Sequence, residues 1–177
     1  MATSATHQWY SVRMAQFSFD IVSDYDKAEM NNVFAAVERE IGNRYDFKGT
    51  PAAIEWMADK AGFKITGAGQ WQCDAVLDII RKKLASRNQS AKVLDLSKTP
   101  IESNLKTAWE IPLKRGLNQD QAKEITKLIR DHTPKAKPQI QGDMVRVTSS
   151  SKDELQTIIT LLKEADLDIP LQFINYR

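Results

Sequence analysis

Two histidines, His7 and His132, and one cysteine, Cys73, are all the imidazole and thiol chemistry in this 177-residue chain. Nucleophilic catalysis needs a thiol or hydroxyl beside a base. His7 stands in a Ser/Thr-containing N-terminal stretch and His132 beside the end of a helical pattern, so the inventory points away from hydrolysis. His132 reads as a donor to the last carbonyls of that helix. Cys73 falls on an apolar helical stripe and reads as a core thiol. A lone cysteine allows neither an intramolecular disulfide nor a cysteine zinc site, which fits a reducing, cytoplasmic setting. Asp20, Asp24, Asp26 and Glu29 lack the spacing and glycine of a calcium loop and read as caps. Gly67-Ala68-Gly69 has no following Gly-Lys-Ser/Thr and reads as a turn rather than a phosphate loop. No cofactor or metal is expected, and no acid-base pair stands out to carry catalysis.

The charge balance narrows the possible guests. Twenty-five Lys and Arg against 23 Asp and Glu give a net +2, so any polyanion must be held by a local patch rather than by the field of the whole molecule. Residues 105–139 concentrate eight Lys or Arg against four acids. Two readings stand for that stretch: a phosphate-holding surface, or a solvated helix face with i,i+4 pairs. No apolar run approaches the ~20 residues of a membrane span, so no membrane partner is expected. Residues 1–13 lack the apolar centre of a secretory signal and read as a flexible tail before the patterned sequence that starts at Met14.

The elements that must position the cations follow from periodicity. Phe17, Phe19 and Ile21 alternate with polar neighbours as a half-buried strand. Asp26 and Glu29 open a helix with Met30, Val33, Phe34, Val37 and Ile41 on one face, expected to end at Gly42. Arg44 to Gly49 alternates polar and aromatic side chains, which predicts Tyr45 and Phe47 inward and Arg44, Asp46 and Lys48 outward. Residues 53–56 and 63–66 read as a hairpin, followed by a helix burying Cys73, Val76, Leu77, Ile80 and Leu84. Residues 93–96 read as a short strand, and 97–104 as a polar connector and the boundary between units 14–104 and 105–177.

After that connector Trp109, Ile111 and Leu113 alternate as a strand whose Pro112 suits an edge or bulge. Asn118 with Gln121 caps a helix with Ala122, Ile125, Leu128 and Ile129 inward. A hairpin turns at Gly142-Asp143, Ser151 with Glu154 reads as a capping box for the last helix, and residues 171–177 read as the closing strand. Gly62 to Leu84 can be laid over Met144 to Leu162, so the chain reads as two copies of one β-α-β-β-α-β unit. The fold class is therefore α+β, two ferredoxin-like sandwiches with helices on one face of each antiparallel sheet. Neither hairpin carries the basic-Gly-aromatic-Gly-aromatic run of RNA-recognition domains, so Tyr45, Phe47, Trp56, Phe63 and Trp109 are expected in the core.

Four ordered segments, Phe17 to Ser23, Arg44 to Gly49, Gln139 to Val147 and Pro170 to Arg177, resemble the bacterial YajQ family. The resemblance covers Met14 to Arg177, with the N-terminal tail as the main departure. It implies two ferredoxin-like domains whose first strands are exchanged, so that residues 17–24 complete the second unit's sheet and 107–113 the first's. It further implies a non-catalytic nucleotide-binding protein whose ligand is a purine nucleotide such as GTP or ATP, cyclic di-GMP, or RNA. A regulatory module that docks another protein is the alternative. The family pattern supplies no ligand contacts, so the candidates rest on side-chain chemistry. Arg44, Asp46 and Lys48 from the first unit, with Gln139, Gln141, Arg146, Gln172, Asn175 and Arg177 from the second, should place cations and amides on sheet faces. There guanidinium groups can grip phosphate and amides can read base edges. The competing reading has these residues hold the two units together through ion pairs.

Overall fold

Alternation and caps build the elements seen in a computed structural model, which describes residues 16–177; the tail at 1–13 lies outside them. β1 (Phe17–Val22) leads into α1 (Lys27–Asn43), whose first turn is capped by the Asp26 side chain accepting from the Glu29 backbone N–H. α1 runs through Gly42 instead of stopping there, because the buried face that ends at Ile41 still holds its last turn. β2 (Ala53–Trp56) and β3 (Gly62–Gly67) form the expected hairpin, and α2 (Gln70–Ser86) follows. β4 (Ile101–Ser103) and β5 (Lys106–Pro112) form a second hairpin. α3 (Gln119–His132), β6 (Lys137–Gln141), β7 (Met144–Ser149), α4 (Lys152–Glu164) and β8 (Gln172–Ile174) complete the chain.

Two four-stranded antiparallel sheets result, ordered β2-β3-β5-β4 and β6-β7-β1-β8, each with the ferredoxin-like arrangement. β1 lies between β7 and β8, so the first strand of the chain sits among strands from its C-terminal part. β5 lies between β3 and β4. The cores follow the sheets. Phe19 and Ile21 pack with Ile125, Ile129, Val145 and Ile158, while Trp109, Ile111 and Leu113 pack with α1, α2 and Phe63. Each large aliphatic or aromatic side chain so buried contributes about 1.5–3 kcal/mol. The chain crosses between sheets twice, through residues 23–26 and 113–118.

Several local expectations need correction. Residues 93–96 are not a strand: Val93 ends a 3-10 turn (Ala91–Val93), and Leu94 makes a single bridge to Leu113. The fourth strand of the first sheet is β4, inside the segment expected to be a connector. All its side chains are exposed, so it carries no apolar alternation to detect. Pro112 is on an interior strand, but as the last residue, beyond Ala108 where pairing with β4 stops. On that side the Pro112 carbonyl accepts from the Asp95 N–H at 2.8 Å, and the missing proline N–H, unable to return that bond, lets the ladder stop there. Asn118 and Gln121 form a reciprocal capping box, whereas Ser151 makes only half of one. The Glu154 carboxylate turns instead to accept from the Ser149 hydroxyl.

Candidate functional site

Alternation along the second sheet brings six of the nine candidate residues to its helix-free side or to the segment that follows β8. Phe19, Ile21, Val145 and Val147 point into the core, so their neighbours Asp20 and Arg146, opposite each other in the ladder, point out, with Gln139 beside Arg146. Arg146 donates from Nε to Asp20 Oδ1 at 2.8 Å and from Nη2 to Oδ2 at 3.4 Å. Asn175 Nδ2 donates to the same carboxylate at 2.8 Å. Asp20 is only 1% exposed. The Arg146 hydrogen bond is the main influence holding its carboxyl below the usual range, with Asn175 and the charge of Arg177 acting in the same direction against the opposing effect of burial. Gln172 is also committed, since its Oε1 accepts from the Asp24 backbone N–H at 2.8 Å. Gln139 and Arg177 are exposed and Gln141 half-buried. Asp20, expected as a cap, is instead the anchor of this cluster.

Arg44, Asp46 and Lys48 lie elsewhere, at the C-terminal end of α1. Residues 45–47 form a 3-10 turn rather than a strand, because the Phe47 and Lys48 N–H groups bond back to the Arg44 and Tyr45 carbonyls. The turn sends Phe47 into the core and leaves Tyr45 86% exposed, against the expectation that both face inward. Arg44 forks onto Asp46 at 3.0 and 2.8 Å and lies over the Phe47 ring at 4.4 Å. Hydrogen bonding within this pair holds the Asp46 carboxyl low and raises Arg44. Lys48 Nζ sits 5.6 Å from the centre of the Tyr45 ring.

A different constellation occupies the cleft beside the crossovers. Tyr25 from the first crossover, Lys27 and Asn31 from the start of α1, Trp56, Asp59 and Lys60 from the β2-β3 hairpin, and Arg115 from the second crossover surround a hollow of about 570 Å³. Trp56 is braced from behind by Phe34 at 4.9 Å and Phe63 at 5.0 Å. Lys60 Nζ lies 5.4 Å from the Trp56 ring and donates to Asn31 Oδ1 at 3.0 Å. Asp59 and Lys60 hold φ of 56° and 54°, a left-handed pair of non-glycine residues at the rim. Such backbone costs about 1–3 kcal/mol per residue and concentrates at binding sites. Arg115 Nε meets Asp24 Oδ1 at 3.3 Å, and both side chains are about half exposed. Reading along the chain missed this group, because its members are separated by up to ninety residues and converge only through the crossovers. The one local signal was Lys114-Arg115-Gly116 directly after a strand.

The remaining reactive groups take structural places. Cys73 is buried, its thiol pushed up chiefly by burial, and donates to the Thr107 carbonyl at 3.4 Å. His132 Nδ1 lies 3.0 Å from the Leu128 carbonyl, closing the end of α3. Among the described residues, no group of three or more His, Cys, Asp or Glu could hold a metal ion. No helix among them is long and apolar enough to cross a membrane.

Residues 17–177 match the family model described as nucleotide-binding protein YajQ-like. A protein of Nocardioides sp. named "Nucleotide-binding protein" is 47% identical over 165 residues, covering 93% of this chain and all of the relative. Proteins of the same name from Thermobifida fusca and Mycobacterium tuberculosis are 43% and 44% identical, covering 92% and 93% of this chain and 99% and 100% of the relatives.

Proposed function

The chain belongs to the YajQ-like family, and from that premise we propose that it binds a purine nucleotide, without turning it over, in the cleft between Trp56 and Arg115. The observation that carries this reading is the convergence of Lys27, Lys60 and Arg115 on one hollow with two aromatic side chains. Its volume of about 570 Å³ is of the size that takes a small organic ligand. Phosphates would be gripped by the two ammonium groups and the guanidinium, in charge-assisted hydrogen bonds. Lys60, turning from the Trp56 face toward phosphate, would leave the indole free to stack on a base. Tyr25 also lines the cleft. GTP, ATP and cyclic di-GMP all carry the required base and phosphate. An RNA would extend past the cleft, and the helix-free side of the second sheet, with Gln139, Gln141, Arg146, Asn175 and Arg177, is the surface proposed for it.

Calorimetric titration with GTP, ATP, cyclic di-GMP and a short RNA tests the reading, with recovery of intact ligand checking that nothing is consumed. Lys60→Met and Arg115→Met should each weaken the preferred nucleotide about 10-fold, the loss of one hydrogen bond to a charged group. Absence of heat with every ligand at millimolar concentration overturns it. An RNA complex should weaken steeply with salt, by a log-log slope of about 0.7 per phosphate contacted, and a mononucleotide complex far less.

A further inference from the structure

The two crossovers run side by side: the Gly116 N–H donates to the Ser23 carbonyl at 2.6 Å, and Arg115 pairs with Asp24. Tyr25 and Met30, just beyond, line two hollows at once. One is the cleft. The other, of about 460 Å³, opens between residues 88–93 of the first half and α4 with the lead into β8 of the second. Its floor is apolar, with Leu162, Ile169, Leu171 and Phe173. Across its mouth Lys92 Nζ donates to Asp166 Oδ1 at 2.5 Å, tying the halves together on that side. This tie is exchangeable, since the Asp166 side chain is 86% exposed. Asp166 and Asn88 hold φ of 48° and 57° on the two lips.

The cleft is built asymmetrically. Lys27 and Lys60 belong to the first half, whereas Arg115 rides on a crossover and is already engaged by Asp24. An anion gathered by Lys60 and Arg115 therefore pulls the crossover toward the first half and competes with Asp24. We propose that the halves rock about the Tyr25–Met30 wall: nucleotide closes the cleft, opens the opposite hollow and breaks Lys92–Asp166. This rests on the nucleotide reading of the cleft and names its regulation. The ion pair is a latch that opposes ligand, and by linkage ligand weakens the latch by the same factor. Whatever holds the second hollow shut lowers affinity at the first.

The test uses full-length chain and GTP as probe. Lys92→Met removes a cation, which by charge alone weakens binding of an anion, yet releasing the latch should tighten GTP about 2- to 5-fold, the range of an exposed ion pair. Asp166→Glu, which can keep the latch, should bind as the parent does. A Lys92→Cys/Asp166→Cys chain, bridged through disulfides by a short bis-methanethiosulfonate linker that replaces the span of the lysine stem, should bind GTP at least 10-fold more weakly than after reduction. Equal affinity in the bridged and reduced forms, or weaker binding by Lys92→Met, overturns the coupling while leaving the nucleotide site intact. Absence of GTP heat in every form sinks the nucleotide reading and the coupling with it.

Discussion

The two sheets carry the same ladder pair with opposite outcomes. β7 and β3 occupy matching places, so Arg146 opposite Asp20 in one sheet corresponds to Lys64 opposite Glu110 in the other. In the second sheet the acid is closed over. Asn175, at φ 56°, turns the chain after β8 so that Arg177 and Ser18 exchange backbone bonds at 3.0 and 3.1 Å, and its own amide reaches the Asp20 carboxylate. In the first sheet no such segment follows. Glu110 bonds Lys98 at 3.1 Å from a half-exposed position, and Lys64 has no carboxylate within ion-pair range among the described residues. Lys64, Lys98 and Lys106, with Glu55 and Glu110, instead line an open furrow of about 820 Å³. One ladder pair thus yields a desolvated structural clasp or an exchangeable surface charge, depending on what covers it.

The comparison breaks most readily at Asp20. Asp20→Asn leaves the Arg146 guanidinium facing a buried neutral amide, and should cost about 2–3 kcal/mol in urea denaturation at neutral pH, toward the low end for a broken buried pair because Arg146 is partly solvated. The Asp20 carboxyl is held below its usual value, so its contribution is complete above the unfolded pKa of about 3.9 and is lost as pH falls through the lower folded value. The stability gap between parent and variant should therefore be constant from about pH 5 to 7 and shrink below about pH 4. A gap unchanged at pH 2 would contradict the clasp.

A middle-sized effect tests whether β3 and β7 are interchangeable. Met144 stands in β7 where β3 has Gly62, yet a Cβ at Gly62 would lie 2.5 Å from the Ile111 carbonyl oxygen and 2.6 Å from Pro112 Cα. Gly62→Ala should cost about 1–3 kcal/mol by forcing β3 from β5, whereas Met144→Ala, at a half-buried site, should cost less than about 1 kcal/mol. Thermal melts of the two variants compare them directly. The smallest effect belongs to Glu110→Gln, within about 0.5 kcal/mol and diminishing in salt. A loss as large as that of Asp20→Asn would show that both faces are clasped alike.

Much of this was legible before any coordinates. Phe17 to Ile21 and Trp109 to Leu113 announced their inward faces by alternation, Asp26 and Asn118 announced helix starts, and the match of Gly62–Leu84 to Met144–Leu162 announced the duplication. β4 was not legible, since three exposed residues have no pattern, and it exists because left-handed Asn104 and Leu105 fold it onto β5. Tyr45 misled because polar-aromatic alternation over four residues fits a strand, while a 3-10 turn needs only local backbone bonds. Arg146, Gln172 and Asn175 were legible by their chemistry, but their partners within the protein, Asp20 and the Asp24 backbone, lie too far along the chain for spacing to reveal.

Residue order alone specified most of the elements and their buried faces, the doubled unit and the kinship, because each of these is written in spacings of two to seven residues or in long stretches of shared identity. Folding in three dimensions decided the rest: that β4 joins the first sheet, which acid is sealed from water, and that Lys27, Lys60 and Arg115 surround one hollow. A side chain's pattern encodes whether it is buried, not which distant neighbour it meets. In this protein two crossings of the chain choose those neighbours.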